Sequence, residues 1–297
     1  MILSPAKINL SLKVKKKLKN GYHKLSSHLI FLDLYDRISI KSSNHNTLKI
    51  TGPYKNLLEQ NSGDTLVSKS IDFCRKINLT NKNYDITLEK NIPISAGLGG
   101  GSSNSASIIR FFLRGKKISN HKNAIKDSKL LGADVPACIH SRPLFAEGIG
   151  EKISFINFNQ KLDIGIVLIN PNVPLSTRNV FENFRLPNKL YSGKKILNID
   201  AIEDFLEISN IGNDLEETAI KLVPEIQLIL NFLSFNNDCL HFGMSGSGPT
   251  CYGIFKNIRA AKNFKIEIMA LKNFKSYWFW AGGLMPSIKR SLILPIK

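Results

Sequence analysis

Between a strand-like run, YDITLEK, and an apolar stretch, IIRFFL, the chain reads PISAGLGGGSSNSA, with four glycines in the five positions 97–101. No other segment restricts the fold as much. Each glycine in a regular element costs roughly 0.5–1 kcal/mol relative to alanine. A chain carries that cost where backbone must pass through positive φ or approach a ligand closely. A Walker A loop ends in Gly-Lys-Ser/Thr, but Gly101 is followed by Ser102 and Ser103. A dinucleotide fingerprint needs a third glycine where Ser102 stands. What those loops share survives here: a glycine-rich turn feeding a helix N-terminus, whose unpaired N–H groups and dipole favour a phosphate. Ser102 or Ser103 would cap that helix, and Ala106, Ile108, Ile109 and Phe112 would form its apolar face. The plain alternative is a flexible loop, although Gly/Ser linkers seldom separate a strand from a capped apolar helix.

A length of 297 residues allows one large or two medium domains with a full core. Hydrophobic content of 43% and charged content of 22% exclude wholesale disorder. No run of 18 apolar residues offers a transmembrane helix, and the start, MILSPAKINLSLKVKKK, has no signal-peptide pattern. Four cysteines without a CxxC pair fit a reducing, cytoplasmic setting and argue against structural zinc. The net charge of +18 is the one unusual bulk property. It could mark a nucleic-acid binder. The lysines are spread along the chain without interleaved aromatics, however, so a diffuse surface that steers small anionic substrates is the preferred reading. No nucleic-acid or membrane partner is expected.

Along the chain, Ile8, Leu10, Leu12 and Val14 alternate with Lys7, Asn9, Ser11 and Lys13, as in a half-buried strand. NGYH at 20–23 reads as a turn, and HLIFLDLYDRISIKSS and TLKIT as strands. Asp64 would cap a helix reaching Ile77. A basic helix is expected around 121–131, ended by Gly132, with Asp134 opening another ahead of Pro136. FAEGIGEKI reads as strand–turn–strand, LDIGIVLINP as a strand covered on both faces, and TRNVFENF as a helix. Asn213 or Asp214 would cap a long helix kinked at Pro224. CLHFGMSGSGPTCYGIF, NIRAAKNFKIEIMAL and SYWFWAGGL then give strand, turn, strand, helix, strand. Helices and strands mix without strict alternation, so the class is α+β, with domains at 1–160 and 161–297.

Four features could converge on chemistry: Lys7 on the first strand, the glycine loop, Asp134 at a helix start, and a second glycine loop, GMSGSGP. Phosphoryl transfer needs a phosphate cradle, a cation for developing charge and a carboxylate for a hydroxyl proton. Each feature alone also has a plain reading: a solvated lysine, an N-cap, a hairpin turn. The six histidines show no metal spacing. Residue chemistry by itself therefore leads to a phosphate-binding enzyme and stops there.

SPAKINLSL, PISAGLGGGSSNSA and GMSGSGPTC, in that order, resemble the three motifs of the GHMP kinases. NGYH and LGADVP are similar to the branch of that family that phosphorylates the 2-hydroxyl of a cytidyl diphosphate polyol in non-mevalonate isoprenoid-precursor synthesis. The resemblance implies a two-domain α+β GHMP kinase fold, ribosomal-protein-like at the N-terminus and ferredoxin-like at the C-terminus. It makes Lys7 and Asp134 the catalytic pair. It puts ATP on Pro93, Ile94, Ser95, Ala96, Gly97, Leu98, Gly99, Gly100, Gly101, Ser102 and Ser103. Asn9, Tyr22, His23, Thr177 and Phe181 would face the cytidyl substrate, with His23 reading the cytosine edge between the rings of Tyr22 and Phe181. ATP would arrive with Mg2+, held by phosphates, water and a loop serine, so no protein metal site is assigned. Leu29, Asn104, Ala137 and Cys138 depart from the family pattern, which bears on affinity more than on reaction type. Rival readings are another GHMP kinase, of homoserine or mevalonate type, and a basic RNA-binding protein.

Overall fold

The computed structural model describes residues 1–19, 21–60, 65–186 and 194–286. Asn20 of the NGYH turn and the expected helix cap Asp64 lie outside those residues. Strands β1 (Ile2–Lys17) and β2 (His23–Ser43) pair antiparallel along almost their whole length, from Ile2 opposite Ile38 to Lys17 opposite His23. They belong to a six-stranded sheet with β3 (Thr47–Thr51), β4 (Asn83–Glu89), β5 (Leu144–Gly148) and β6 (Lys152–Phe155), in which only β3 and β4 run parallel. Among the described residues five α-helices accompany the sheet: α1 (Lys55–Gln60), α2 (Thr65–Lys76), α3 (Gly100–Leu113), α4 (Ile118–Asp127) and α5 (Val135–His140). Ile38, Ile86 and Leu88 of the sheet share a core with Val67 and Ile71 of α2 and Ile108, Ile109 and Leu113 of α3.

After the short pair β7 (Asn157–Phe158) and β9 (Asn198–Ile199), the second sheet has the order β10-β11-β8-β12, all antiparallel. Its strands are β8 (Gly165–Asn170), β10 (Cys239–Met244), β11 (Cys251–Phe255) and β12 (Trp278–Gly282). Helices α6 (Thr177–Asn183), α7 (Ile202–Asn210), α8 (Glu216–Leu222) and α9 (Glu225–Ser234) lie between β8 and β10, and α10 (Ile258–Met269) between β11 and β12. The first strand is thus central, between the third and the fourth, which is the ferredoxin-like order. β8 is apolar at Ile166, Val167, Leu168 and Ile169 because both its faces are covered, as its continuous pattern implies. Truncating one such side chain to alanine would cost about 2–5 kcal/mol.

The two sheets share a core. Ile8 and Leu10 of β1 pack with Ile166, Leu168, Tyr252 and Ile254, and the Tyr252 hydroxyl donates to Leu10 O at 3.0 Å. Past β12, Gly283 O accepts from Asp33 N–H at 3.1 Å, and Met285 N–H donates to Phe31 O at 2.9 Å. The end of the second sheet is therefore stitched back onto β2.

Several local expectations change. β1 is not half-buried: Lys7, Asn9 and Ser11 on its polar face are only 3%, 5% and 2% exposed. Its apolar face meets the second sheet, and its polar face is covered by the two glycine loops. Gly99, in left-handed conformation, is the N-cap of α3, so Ser102 and Ser103 fall inside the first turn and cap nothing. The basic helix runs over 118–127, followed by a 3₁₀ turn at 128–130, and so stops before Gly132. Pro224 separates α8 from α9 outright, because its ring and missing N–H cannot continue the ladder. Asp214 caps no helix: it accepts from Val14 N–H at 2.8 Å and pairs with Lys13 at 2.5 Å.

Candidate active site

Irregularities between Pro5 and Lys7 and between Asn9 and Ser11 bracket a short regular stretch of β1. Bulges of this kind re-aim side chains. Here they accompany a buried lysine whose surroundings are almost entirely oxygen. Lys7 Nζ donates to Asn9 Oδ1 at 2.6 Å and to Gly97 O at 3.2 Å, and lies 3.2 Å from Asp134 Oδ2. Its stem runs under the glycine loop, so a β-carbon on Gly99 would fall 2.7 Å from Lys7 Cγ. Its backbone N–H also donates to Leu98 O at 2.9 Å. The ammonium is nearly dry, at 4% side-chain exposure, while the Asp134 carboxylate is 41% exposed. Asp134 thus faces the open space with a fixed cation behind it.

The loop itself is held from both sides. Gly97 has φ 73, and a β-carbon there would lie 2.3 Å from Ser245 O of the second glycine loop. Ser245 Oγ donates to Gly97 O at 3.0 Å and accepts from Asn9 N–H at 3.2 Å. Asn213 Nδ2 donates to Met244 O and Gly246 O at 2.8 Å each, which fixes that second loop. At the other end of the first loop, a β-carbon on Gly100 would sit 2.9 Å from Lys90 Nζ. Lys90 Nζ donates to Asp36 Oδ2 at 2.6 Å and to Ile92 O at 2.7 Å. Asp36 also accepts from the N–H groups of Asn91 and Ile92 and from Asn104 Nδ2. Asn104, one of the departures from the family pattern, therefore serves as a donor to a buried carboxylate. Ser103 N–H makes the first bond of α3, to Gly99 O at 2.8 Å, and no side chain caps the helix. The N–H groups of Gly100, Gly101 and Ser102 remain outside the helical ladder and available to an anion.

All this opens on one cleft of about 620 Å³. Of the expected ATP residues, Pro93–Gly97 and Gly99–Ser102 line it, whereas Leu98 and Ser103 are buried beneath. Lys7, Asn9, Asp134, Thr177 and Phe181 line it as well. Thr177 and Ser247 hydroxyls are 2.8 Å apart, which joins α6 to the second glycine loop. His23 stacks on Phe181, with ring centroids 5.0 Å apart and planes at 24°, and Phe184 meets its edge. Tyr22 is 55% exposed. His23 and Phe181 are thus in mutual contact, with no base-sized gap between them. Burial lowers the His23 pKa, with Lys17 adding to the effect. Leu29 and Ala137 contact each other and line the cleft wall. Burial and the neighbouring Asp134 push the Cys138 thiol up to about 12, which removes it as a nucleophile.

Sequence reasoning missed Asp36, Lys90 and Ser27, and it named Asn213 only as a helix cap and Ser245 only within the second glycine loop. Ser27 Oγ accepts from Asn9 Nδ2 at 2.7 Å and donates to Ser11 O at 2.5 Å, so it sets which end of the Asn9 amide faces Lys7. Serines and asparagines in strands and turns carry no spacing signal. Lys90, in the polar tail of YDITLEK, reads as a solvated strand end.

Among the described residues no group of three or more His, Cys, Asp and Glu could hold a metal ion. Asp134 is the one carboxylate among the described residues lining the cleft. That donor set suits a cation that enters already bound to phosphates.

Comparison with known proteins gives a consistent result. The family described as GHMP kinases N terminal domain matches residues 65–142, and GHMP kinases C terminal matches residues 196–267. A 4-diphosphocytidyl-2-C-methyl-D-erythritol kinase of Agrobacterium fabrum is 38% identical over 276 residues, 89% of this chain and 90% of the relative. A crystal structure of 4-(cytidine 5'-diphospho)-2C-methyl-D-erythritol kinase superposes with TM-score 0.71 at 25% identity, covering 96% of this chain and 99% of that one. Homoserine kinase from Cytophaga hutchinsonii shares the fold, with TM-score 0.63 at 14% identity over 95% of this chain and 94% of its own.

Proposed function

This chain belongs to the GHMP kinases, in the family of 4-diphosphocytidyl-2-C-methyl-D-erythritol kinases, and from that premise we propose that its cleft transfers the γ-phosphoryl group of ATP to the 2-hydroxyl of 4-diphosphocytidyl-2-C-methyl-D-erythritol. The observation that carries the proposal is the 3.2 Å pair of Lys7 Nζ and Asp134 Oδ2 beside the uncapped start of α3. ATP phosphates rest on the N–H groups of Gly100, Gly101 and Ser102, and Mg2+ enters with them. The acceptor hydroxyl oxygen forms its bond to Pγ as the bond from Pγ to the bridging oxygen breaks and ADP departs. Asp134 receives the hydroxyl proton, and Lys7 offsets charge developing on the transferred group. Phe181 and Thr177 line the same cleft, and in this reading they face the entering acceptor. In this reading His23 and Phe181 part to admit the cytosine, and Tyr22 closes on its other face.

Residues 1–160 and 161–297 are taken as the two domains, since the first sheet ends at Phe155 and the second begins at Gly165. The four cysteines are free, and among the described residues no helix is long and apolar enough to cross a membrane. Both observations support a cytoplasmic enzyme whose +18 charge draws in anionic nucleotides rather than nucleic acid. A coupled ADP-release assay with 4-diphosphocytidyl-2-C-methyl-D-erythritol, homoserine and mevalonate as acceptors tests the assignment. A kcat/KM with the cytidyl acceptor roughly 5- to 150-fold above the others is expected, because a missing stacked ring is worth roughly 1–3 kcal/mol. Preference for either small acceptor would overturn it.

A further inference from the structure

Arg110 lies in the eleventh position of α3, and its side chain is buried at 2% exposure. Among the described residues no Asp or Glu forms an ion pair with it. Its partners are neutral oxygens concentrated at one place. Nη1 donates to the carbonyl oxygens of Cys138 at 2.7 Å and Ile139 at 3.2 Å, and to Ser141 Oγ at 2.5 Å. Nη2 donates to Ser107 Oγ at 2.7 Å, back on α3. Cys138 and Ile139 belong to the last turn of α5, and Ser141 is its C-cap, at φ 43. Ser141 Oγ in turn donates to Cys138 O at 2.6 Å. The final carbonyls of a helix lack partners within it, and a cation there also meets the negative end of the helix dipole. Burial lowers this guanidinium to about 9, so it stays charged at neutral pH.

The residue at the other end of α5 is its N-cap, Asp134. Six residues of helix span only about 9 Å, too short to bend appreciably. A shift of the C-terminal turn is therefore passed on to the carboxylate. The N-terminus of α3 is the phosphate loop itself. One side chain thus fastens the element bearing the phosphate cradle to the element bearing Asp134. We infer that Arg110 is a positioning residue, which sets where the Asp134 carboxylate stands relative to the glycine loop by clamping the last turn of α5. This inference rests on the kinase reading above. Cys138 and Ile139, with Val135, also share a core with Ala106 and Ile109, so the helix stays docked without the clamp, and what the clamp adds is the fine placement of its last turn.

The test is a kinetic cycle on the full chain with ATP and 4-diphosphocytidyl-2-C-methyl-D-erythritol. Arg110→Met and Arg110→Lys are each made in the parent and in Asp134→Asn. Arg110→Met is expected to lower kcat by roughly 10- to 100-fold, since displacement of a reacting group by 1 Å costs on the order of 10²-fold. KM for ATP should stay within about twofold, because the loop N–H groups are untouched. Arg110→Lys keeps the charge but cannot bridge α3 and three oxygens at once, so it should recover only part of the loss. In Asp134→Asn either substitution should change the residual rate by less than about twofold, because the group being positioned is gone. An arginine needed only for folding would lower the rate by the same factor in both backgrounds, and that result overturns the inference. So would Arg110→Met and Arg110→Lys with parental kcat. If Arg110→Met does not fold, Arg110→Lys supplies the same comparison. A parent that fails to phosphorylate this acceptor refutes the kinase reading, whereas an active parent with additive effects refutes the positioning role alone.

Discussion

Gly97 and Gly115 have almost the same positive φ, 73 and 75, in opposite surroundings. A β-carbon on Gly115 meets nothing within 4 Å, while one on Gly97 lies 2.3 Å from Ser245 O and 3.1 Å from Gly248 O. Alanine in the left-handed region costs roughly 1–2 kcal/mol, so Gly115→Ala should lose about that much stability and no activity. Gly97→Ala carries the same backbone term and a clash that needs about 1.1 Å of movement to reach the 3.4 Å of ordinary contact. Overpacking adds a further 1–3 kcal/mol or so. The two loops must move apart, and Gly97 O, which accepts from Lys7 Nζ and Ser245 Oγ, moves with its loop. A displacement of that size should lower kcat/KM on the order of 10²-fold. Thermal unfolding and the coupled assay on both variants decide the matter. Equal stability losses with full activity in Gly97→Ala would show that the loops are not locked together, and the account of how Lys7 is held would fail.

Asp134→Asn keeps the shape but removes the proton acceptor, so kcat should fall by on the order of 10²–10⁴ with KM for ATP nearly unchanged; a loss below about tenfold would reduce Asp134 to a helix cap. Lys7→Ala should also lower kcat, and the double variant should lose far less than the product of the two losses, which a steady-state cycle would reveal. Phe181→Ala, which leaves His23 unstacked, should raise KM for the cytidyl acceptor and leave KM for ATP alone; equal changes in both would remove the ring from the substrate site. His28 is buried, donating from Nδ1 to Ser11 Oγ and accepting at Nε2 from Ile196 N–H, and desolvation lowers it from 6.5 to about 4. A depressed histidine stabilises only while neutral, so its contribution is complete above pH 6.5 and disappears as pH falls through about 4. The parent should therefore lose up to roughly 3 kcal/mol more than His28→Gln between those limits in urea titrations, and parallel losses would refute the argument.

The alternating and continuous apolar runs were readable because burial on one face or two leaves a period in the sequence. β1, β8 and β12 and the helix after Asn257 appear where that period places them. The polar face of β1 misled for the same reason. Period alone does not tell a lysine in water from one ringed by Asn9, Gly97 and Asp134. The caps failed differently: Ser102 and Ser103 suit a helix start, but Gly99 in left-handed conformation leaves the N–H groups open, as an anion site requires. α7 was missed, since AIEDFLEISN mixes charges and apolar residues without punctuation. The Asp36–Lys90 pair and the Arg110 clamp join residues 54 and 28 apart, and no local pattern announces such partners.

The bonds from β1 to the second glycine loop, and from residues 283–285 back to β2, set the order in which a nascent chain can become complete. Asn9 N–H and its partner Ser245 Oγ are 236 residues apart. At about 5–20 residues per second, the ribosome takes on the order of 10–50 s to make that interval. Once β1 and β2 have left the tunnel, and for most of that time, Ile8, Leu10 and Ile30 lack Ile254, and Phe31 O lacks the N–H of Met285. The glycine loop meets its partner loop only after β10 emerges. The kinase cleft is thus among the last features to form, and the early hairpin must be kept from other apolar surfaces until the chain behind it has been made.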